Sequence, residues 1–73
     1  MKTIAERIET VSIEGRKCFG GVIIMDPEDI DFDSFYSFEV AEDGKTYNFQ
    51  SIKPTRIDYL GQQAARFEMW IYV

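Results

Sequence analysis

The sequence predicts a mainly β fold: a small barrel or rolled antiparallel sheet of five to six strands, opening with a short N-terminal helix or turn. Three observations lead there. Between Ile30 and Val40 the apolar residues Ile30, Phe32, Tyr36, Phe38 and Val40 fall on even positions while Asp, Ser and Glu take most odd ones, which is the period of a half-buried strand. Asp43-Gly44 follows, a dipeptide suited to a type I′ hairpin turn because both central residues need positive φ. A second alternating run closes the chain, with Phe67, Met69, Ile71 and Val73 on one face and Glu68, Trp70 and Tyr72 on the other.

The elements follow in order. Thr3-Ile4-Ala5-Glu6 matches a capping box, and Ile4, Ala5, Ile8 and Val11 keep helical spacing. Thr10 to Ile13 reads as β, so a short helix or turn is expected to run into a strand. Glu14-Gly15 is a turn, and Lys17 to Met25 the next strand, with Gly20-Gly21 marking a bulge or sharp bend. Asp26-Pro27-Glu28-Asp29 begins like a helix, Asp capping and Pro at the first position, but the period of two that follows allows at most one turn. A two-residue loop at Asp43-Gly44 sets Glu42 opposite Lys45, Val40 opposite Tyr47, and Phe38 opposite Phe49, so charge and apolarity agree on one register. Pro54 predicts a bend after Ile52. Arg56 to Leu60 reads as a short strand and Gly61-Gln62-Gln63 as the turn into the last one.

Seventy-three residues make a single domain, 1–73. A chain this short buries only about 60 % of the surface its unfolded form exposes. One cysteine and no histidine leave no intrachain disulfide and no Cys-based zinc site to compensate. Six Phe, four Tyr and one Trp remain, each worth about 150–250 Å² of burial, either in the core or on a face that a partner covers. No stretch reaches the roughly 20 apolar residues of a membrane span, and Lys2, Glu6, Arg7 and Glu9 interrupt any apolar leader. The expected setting is reducing and cytoplasmic, with no membrane partner.

The net charge of −5 is unevenly placed. Between Lys17 and Lys45 lie eight of the thirteen acidic residues (Asp26, Glu28, Asp29, Asp31, Asp33, Glu39, Glu42 and Asp43) and none of the eight basic ones. Such a field repels phosphate backbones and attracts basic surfaces, so direct nucleic-acid binding is not expected and a protein with a basic surface is. The run reads either as a solvated edge that blocks strand-to-strand pairing or as a docking surface where carboxylates steer and rings anchor.

Chemistry has little to work with. Cys18 sits beside Phe19 in an apolar strand with no histidine to activate it, which makes a buried, inert thiol the expectation. Asp29, Asp31 and Asp33 have the 1-3-5 spacing of an EF-hand loop, but Ser34 stands where that loop needs Gly and Val40 where it needs Glu. Gly20-Gly21 lacks the flanking residues of a phosphate loop. The sequence therefore predicts no enzyme, no catalytic residue, no metal and no cofactor. The candidate partner-binding residues are Asp29, Asp31, Asp33, Phe35 and Tyr36, with Trp70 and Tyr72 as a second group that could equally close the far face of a barrel.

Gly15-Arg16-Lys17-Cys18 leading to a strand, Asp26-Pro27-Glu28-Asp29, the stretch from Gly44 to Pro54, and the closing Phe67-Glu68-Met69-Trp70-Ile71 together resemble the small β-barrel head–tail joining proteins of tailed bacteriophages. The similarity covers residues 15–73 and its motifs are generic β patterns; part of that family's middle region has no counterpart here. The resemblance implies a virion component that forms a ring, with acidic middle and basic flanks meeting between neighbouring copies. A second reading from another class is a small phage inhibitor, anti-CRISPR or anti-restriction in kind, that presents carboxylates in place of phosphates within the bacterial cytoplasm. A third is an adaptor subunit of a bacterial complex.

Overall fold

Six strands and no helix make up a computed structural model that describes residues 2–73: β1 (Thr3–Ile13), β2 (Arg16–Met25), β3 (Tyr36–Glu42), β4 (Lys45–Ile52), β5 (Thr55–Tyr59) and β6 (Gln62–Tyr72). Three hairpins are closed by two-residue turns, Glu14-Gly15, Asp43-Gly44 and Leu60-Gly61, with positive φ at both residues of each. That is the type I′ geometry, whose twist matches that of the strands it joins. The predicted pairing holds around Asp43-Gly44, where Glu42 faces Lys45, Val40 faces Tyr47 and Phe38 faces Phe49.

The hairpins assemble into two antiparallel sheets. β2 pairs with β6 from Cys18–Tyr72 to Met25–Ala65, giving a four-stranded sheet in the order β1-β2-β6-β5, while β3 and β4 form a sheet of their own. No ladder joins the two, so the fold is a rolled pair of sheets and not a closed barrel. They meet through side chains. Phe19, Ile23, Met25, Ala65, Phe67 and Met69 of the larger sheet enclose Phe49 of the smaller one. Phe67 receives the edges of Tyr36 and Phe38 at 5.5 and 4.9 Å between centroids, and Tyr47 lies 4.4 Å from Phe19. The aromatic load thus goes largely into the seam between sheets.

β2 carries the two adjacent glycines. A Cβ on Gly20 would overlap the Met69 carbonyl, and one on Gly21 the Arg7 carbonyl. The register runs through both positions without a shift. The pair therefore allows close backbone approach on either side and is not the bulge that the sequence left open.

Several expectations change. No N-terminal helix forms: β1 is paired with β2 from Thr3–Met25 to Ile13–Arg16, and the capping-box residues coincide with a register shift between Thr3 and Ala5. A full ladder of backbone hydrogen bonds outweighs the weak local preference of a short helical segment. The last turn is Leu60-Gly61, and Gln62 and Gln63 already belong to β6. The strand expected from Ile30 begins only at Tyr36. Residues 30–35 keep alternate burial without a ladder, and Ile30 and Phe32 pack on the core from a loop. The bend after Ile52 is as expected, with Pro54 buried between β4 and β5.

Candidate functional site

The first candidate group lies in the loop between β2 and β3, which two consecutive turns organise. Asp26 Oδ1 accepts the Glu28 N–H at 3.0 Å, and the Ile30 N–H reaches the Pro27 carbonyl at 3.1 Å. Asp31 then repeats the arrangement: its carboxylate accepts the Asp33 N–H at 2.9 Å and the Ser34 hydroxyl at 2.6 Å, while the Ser34 N–H bonds to the Asp31 carbonyl at 3.1 Å. The Ser34 hydroxyl, and next the Asp33 amide, hold the Asp31 carboxyl below the ordinary range. Tyr36 faces inward, its ring edge on Phe67 and its hydroxyl accepting the Asp31 N–H at 2.9 Å. Asp31 and Tyr36 thus shape the loop, leaving Asp29, Asp33 and Phe35 exposed. Phe35 is 66 % exposed. Asp29 adopts a left-handed conformation (φ 68°). Arg56 pins the loop to β5, its guanidinium 4.1 Å from the Phe32 ring centroid.

The acidic run is not one surface. Asp26, Glu28 and Asp29 line a hollow with Lys2 beside the end of β2. Glu42 and Asp43 sit at the other end of the molecule, against Lys17, Lys45 and Val73. The reason is topological: β3 runs away from the loop before its turn, so neighbours in sequence part in space.

The second group lies on the outer face of the four-stranded sheet, where directly paired residues form rows. Val11, Cys18 and Tyr72 make one row; Glu9, Gly20 and Trp70 the next; Arg7, Val22 and Glu68 the third; Ala5, Ile24 and Arg66 the fourth. The last three rows carry charge. Arg7 pairs with Glu9 at 3.3 Å and Arg66 with Glu68 at 3.2 Å, surface pairs of small energetic weight. Glu68 also accepts the Trp70 indole N–H at 3.1 Å; chiefly this bond, then Arg66, draws its carboxyl below the usual value against a partial opposing effect of burial. Beyond Trp70 the face turns apolar. Ile13, Cys18, Trp70, Ile71 and Tyr72 line a groove of about 180 Å³. Tyr72 is 64 % exposed, and the Arg16 guanidinium lies 3.8 Å from its ring centroid. Cys18 is buried at the groove floor, its thiol directed to the Arg16 carbonyl at 3.7 Å.

The structure keeps the two candidate groups apart. The loop extends from the Met25 end of β2, Trp70 and Tyr72 stand near its Cys18 end, and the molecule measures 34 Å along its longest axis. No protein-family model, curated protein or solved structure matches this chain. Among the described residues, no group of three or more acidic or cysteine side chains is placed to hold a metal ion, and no helix is long and apolar enough to cross a membrane.

Two surface residues escaped the sequence reading. Ile13, 40 % exposed, reads as part of a strand, but nothing local says which of its faces is covered. Leu60, 88 % exposed, reads as a strand end and instead occupies the turn itself. Its position directly before Gly61, like Glu14 before Gly15 and Asp43 before Gly44, was the available signal.

Proposed function

We propose that this chain is a non-enzymatic protein-binding module whose contact surface is the outer face of the four-stranded sheet at its Trp70–Tyr72 end. One observation carries the reading: Ile13, Trp70 and Tyr72 gather around an apolar groove on a sheet face that no second layer covers, whereas the inner face has the β3–β4 sheet against it. Exposed apolar patches with aromatic anchors and a charged margin mark protein contacts. The resemblance to head–tail joining proteins supports neighbouring copies in a virion ring as the partners. The inhibitor reading has less support, because a phosphate mimic needs its carboxylates along one track. Here they fall into two groups, and Asp26 and Asp31 are committed to turns.

Sedimentation velocity up to millimolar concentration tests the reading, comparing the natural chain with Tyr72→Ser. The exposed ring contributes little to the fold, so the variant is expected to remain folded and to associate more weakly. A natural chain that stays monomeric throughout, or a variant that associates unchanged, refutes it.

A further inference from the structure

The same backbone problem is solved three times in this chain, and one solution is anomalous. Each hairpin turn needs a left-handed residue before its glycine. Glu14 (φ 52°) and Asp43 (φ 50°) fill that place with polar side chains, but the third turn uses Leu60 (φ 51°). Asn or Gly would be less strained there, and a polar residue would suit a position 88 % exposed to solvent. Leu60 therefore carries both a conformational cost and an exposure cost with no return inside the molecule. The turn that presents it is held firmly, since Asp58 Oδ1 accepts the Gly61 N–H at 3.0 Å.

We propose that Leu60 is an anchor that inserts into the Ile13–Trp70–Tyr72 groove of a second copy of this chain. The proposal rests on the function argued above, because the groove belongs to the same face. β6 begins immediately after the Leu60 turn and ends at the groove, so anchor and groove occupy opposite ends of one strand. A groove of about 180 Å³ has room for the side chain; engineered cavities of about 150 Å³ admit benzene. One charged contact is available as well. Asp58 flanks Leu60, and the acidic 26–33 loop lies at that end, where Arg56 joins it to β5. At the groove, Arg16, stacked on Tyr72, is the cation placed to meet that acidic end, since Lys17 already faces Glu42 and Asp43. A contact between different surfaces of identical chains is heterologous and propagates into rings or filaments.

Complementation tests this. Leu60→Asn removes the anchor and keeps the groove; Ile13→Glu blocks the groove and keeps the anchor. Each alone is expected to shift association to a concentration about tenfold higher or more. An equimolar mixture should recover association but stop at a one-to-one dimer, as each pair then holds one intact contact. Tyr72→Glu serves as a second groove variant, and circular dichroism confirms that all retain the fold. Leu60→Asn assembling like the natural chain overturns the anchor while leaving the binding-module reading in place. So does a mixture that stays monomeric, or a natural assembly that never exceeds a two-fold dimer. A natural chain that is monomeric at millimolar concentration overturns both.

Discussion

Phe67 holds the two sheets together, and its truncation gives the most direct test of the architecture. The ring is fully buried in β6 and meets the edges of Tyr36 and Phe38, both from the smaller sheet. No backbone ladder crosses the seam, so side-chain packing alone attaches β3 and β4. Phe67→Ala is expected to cost about 3–5 kcal/mol in lost transfer energy and residual cavity. At about 0.05–0.15 kcal/mol per residue, a chain of 73 residues has only about 4–11 kcal/mol in total. The variant is therefore marginal or unfolded at ambient temperature. Phe67→Leu keeps most of the apolar volume and loses the ring contacts, for an expected cost of about 1–2 kcal/mol. Urea titration followed by Trp70 fluorescence and far-ultraviolet dichroism gives both values, and coincident transitions establish two-state behaviour. A double-mutant cycle with Phe38→Ala should show coupling of about 0.5–1.5 kcal/mol. A loss below about 1.5 kcal/mol for Phe67→Ala, outside the range seen for buried rings, would refute the packing of one sheet on the other.

Three further outcomes follow from the same geometry. Gly20→Ala and Gly21→Ala, where a Cβ meets backbone carbonyls, should each lower the melting temperature far more than Gly15→Ala, which meets open space and costs about 1 kcal/mol for its left-handed backbone. Asp31 and Glu68 have carboxyls lowered in the folded state, so each stabilises the fold above its unfolded pKa and loses that contribution as pH falls through the folded one. Asp31→Asn should thus reduce stability at neutral pH and make little difference at strongly acid pH, as thermal melts across that range will show. Leu60→Asn should raise stability by about 0.5–1 kcal/mol through relief of left-handed strain, or about 4–8 °C per kcal/mol in melting temperature; an unchanged or lower value contradicts the conformational cost assigned to Leu60.

Local chemistry was legible wherever neighbours in sequence decided it. The register around Asp43-Gly44 could be read directly, because turn geometry, charge pairing and alternation all act within a dozen residues. The two faces of β6 were likewise apparent from a period of two, as was the buried thiol at Cys18. Residues 3–9 were not legible, since their helical spacing yields to a ladder with β2 that only folding supplies, whereas Thr10 to Ile13 read as β and are. Nor was the seam at Phe67, whose partners Tyr36 and Phe38 lie some thirty residues away.

For the candidate site, the sequence by itself determined which side chains are acidic and which are aromatic, and tertiary structure decided which of them act together. Asp31 and Tyr36 turn out to shape their own loop, and the acidic run divides between two ends because β3 carries it across the molecule. Trp70 and Tyr72 acquire Ile13, from β1, as a neighbour through the β1-β2-β6 order. The physical reason is the same throughout. Turn preference and alternation are short-range properties of adjacent residues, whereas a surface is made by long-range strand pairing, and pairing is settled only when the whole core is buried.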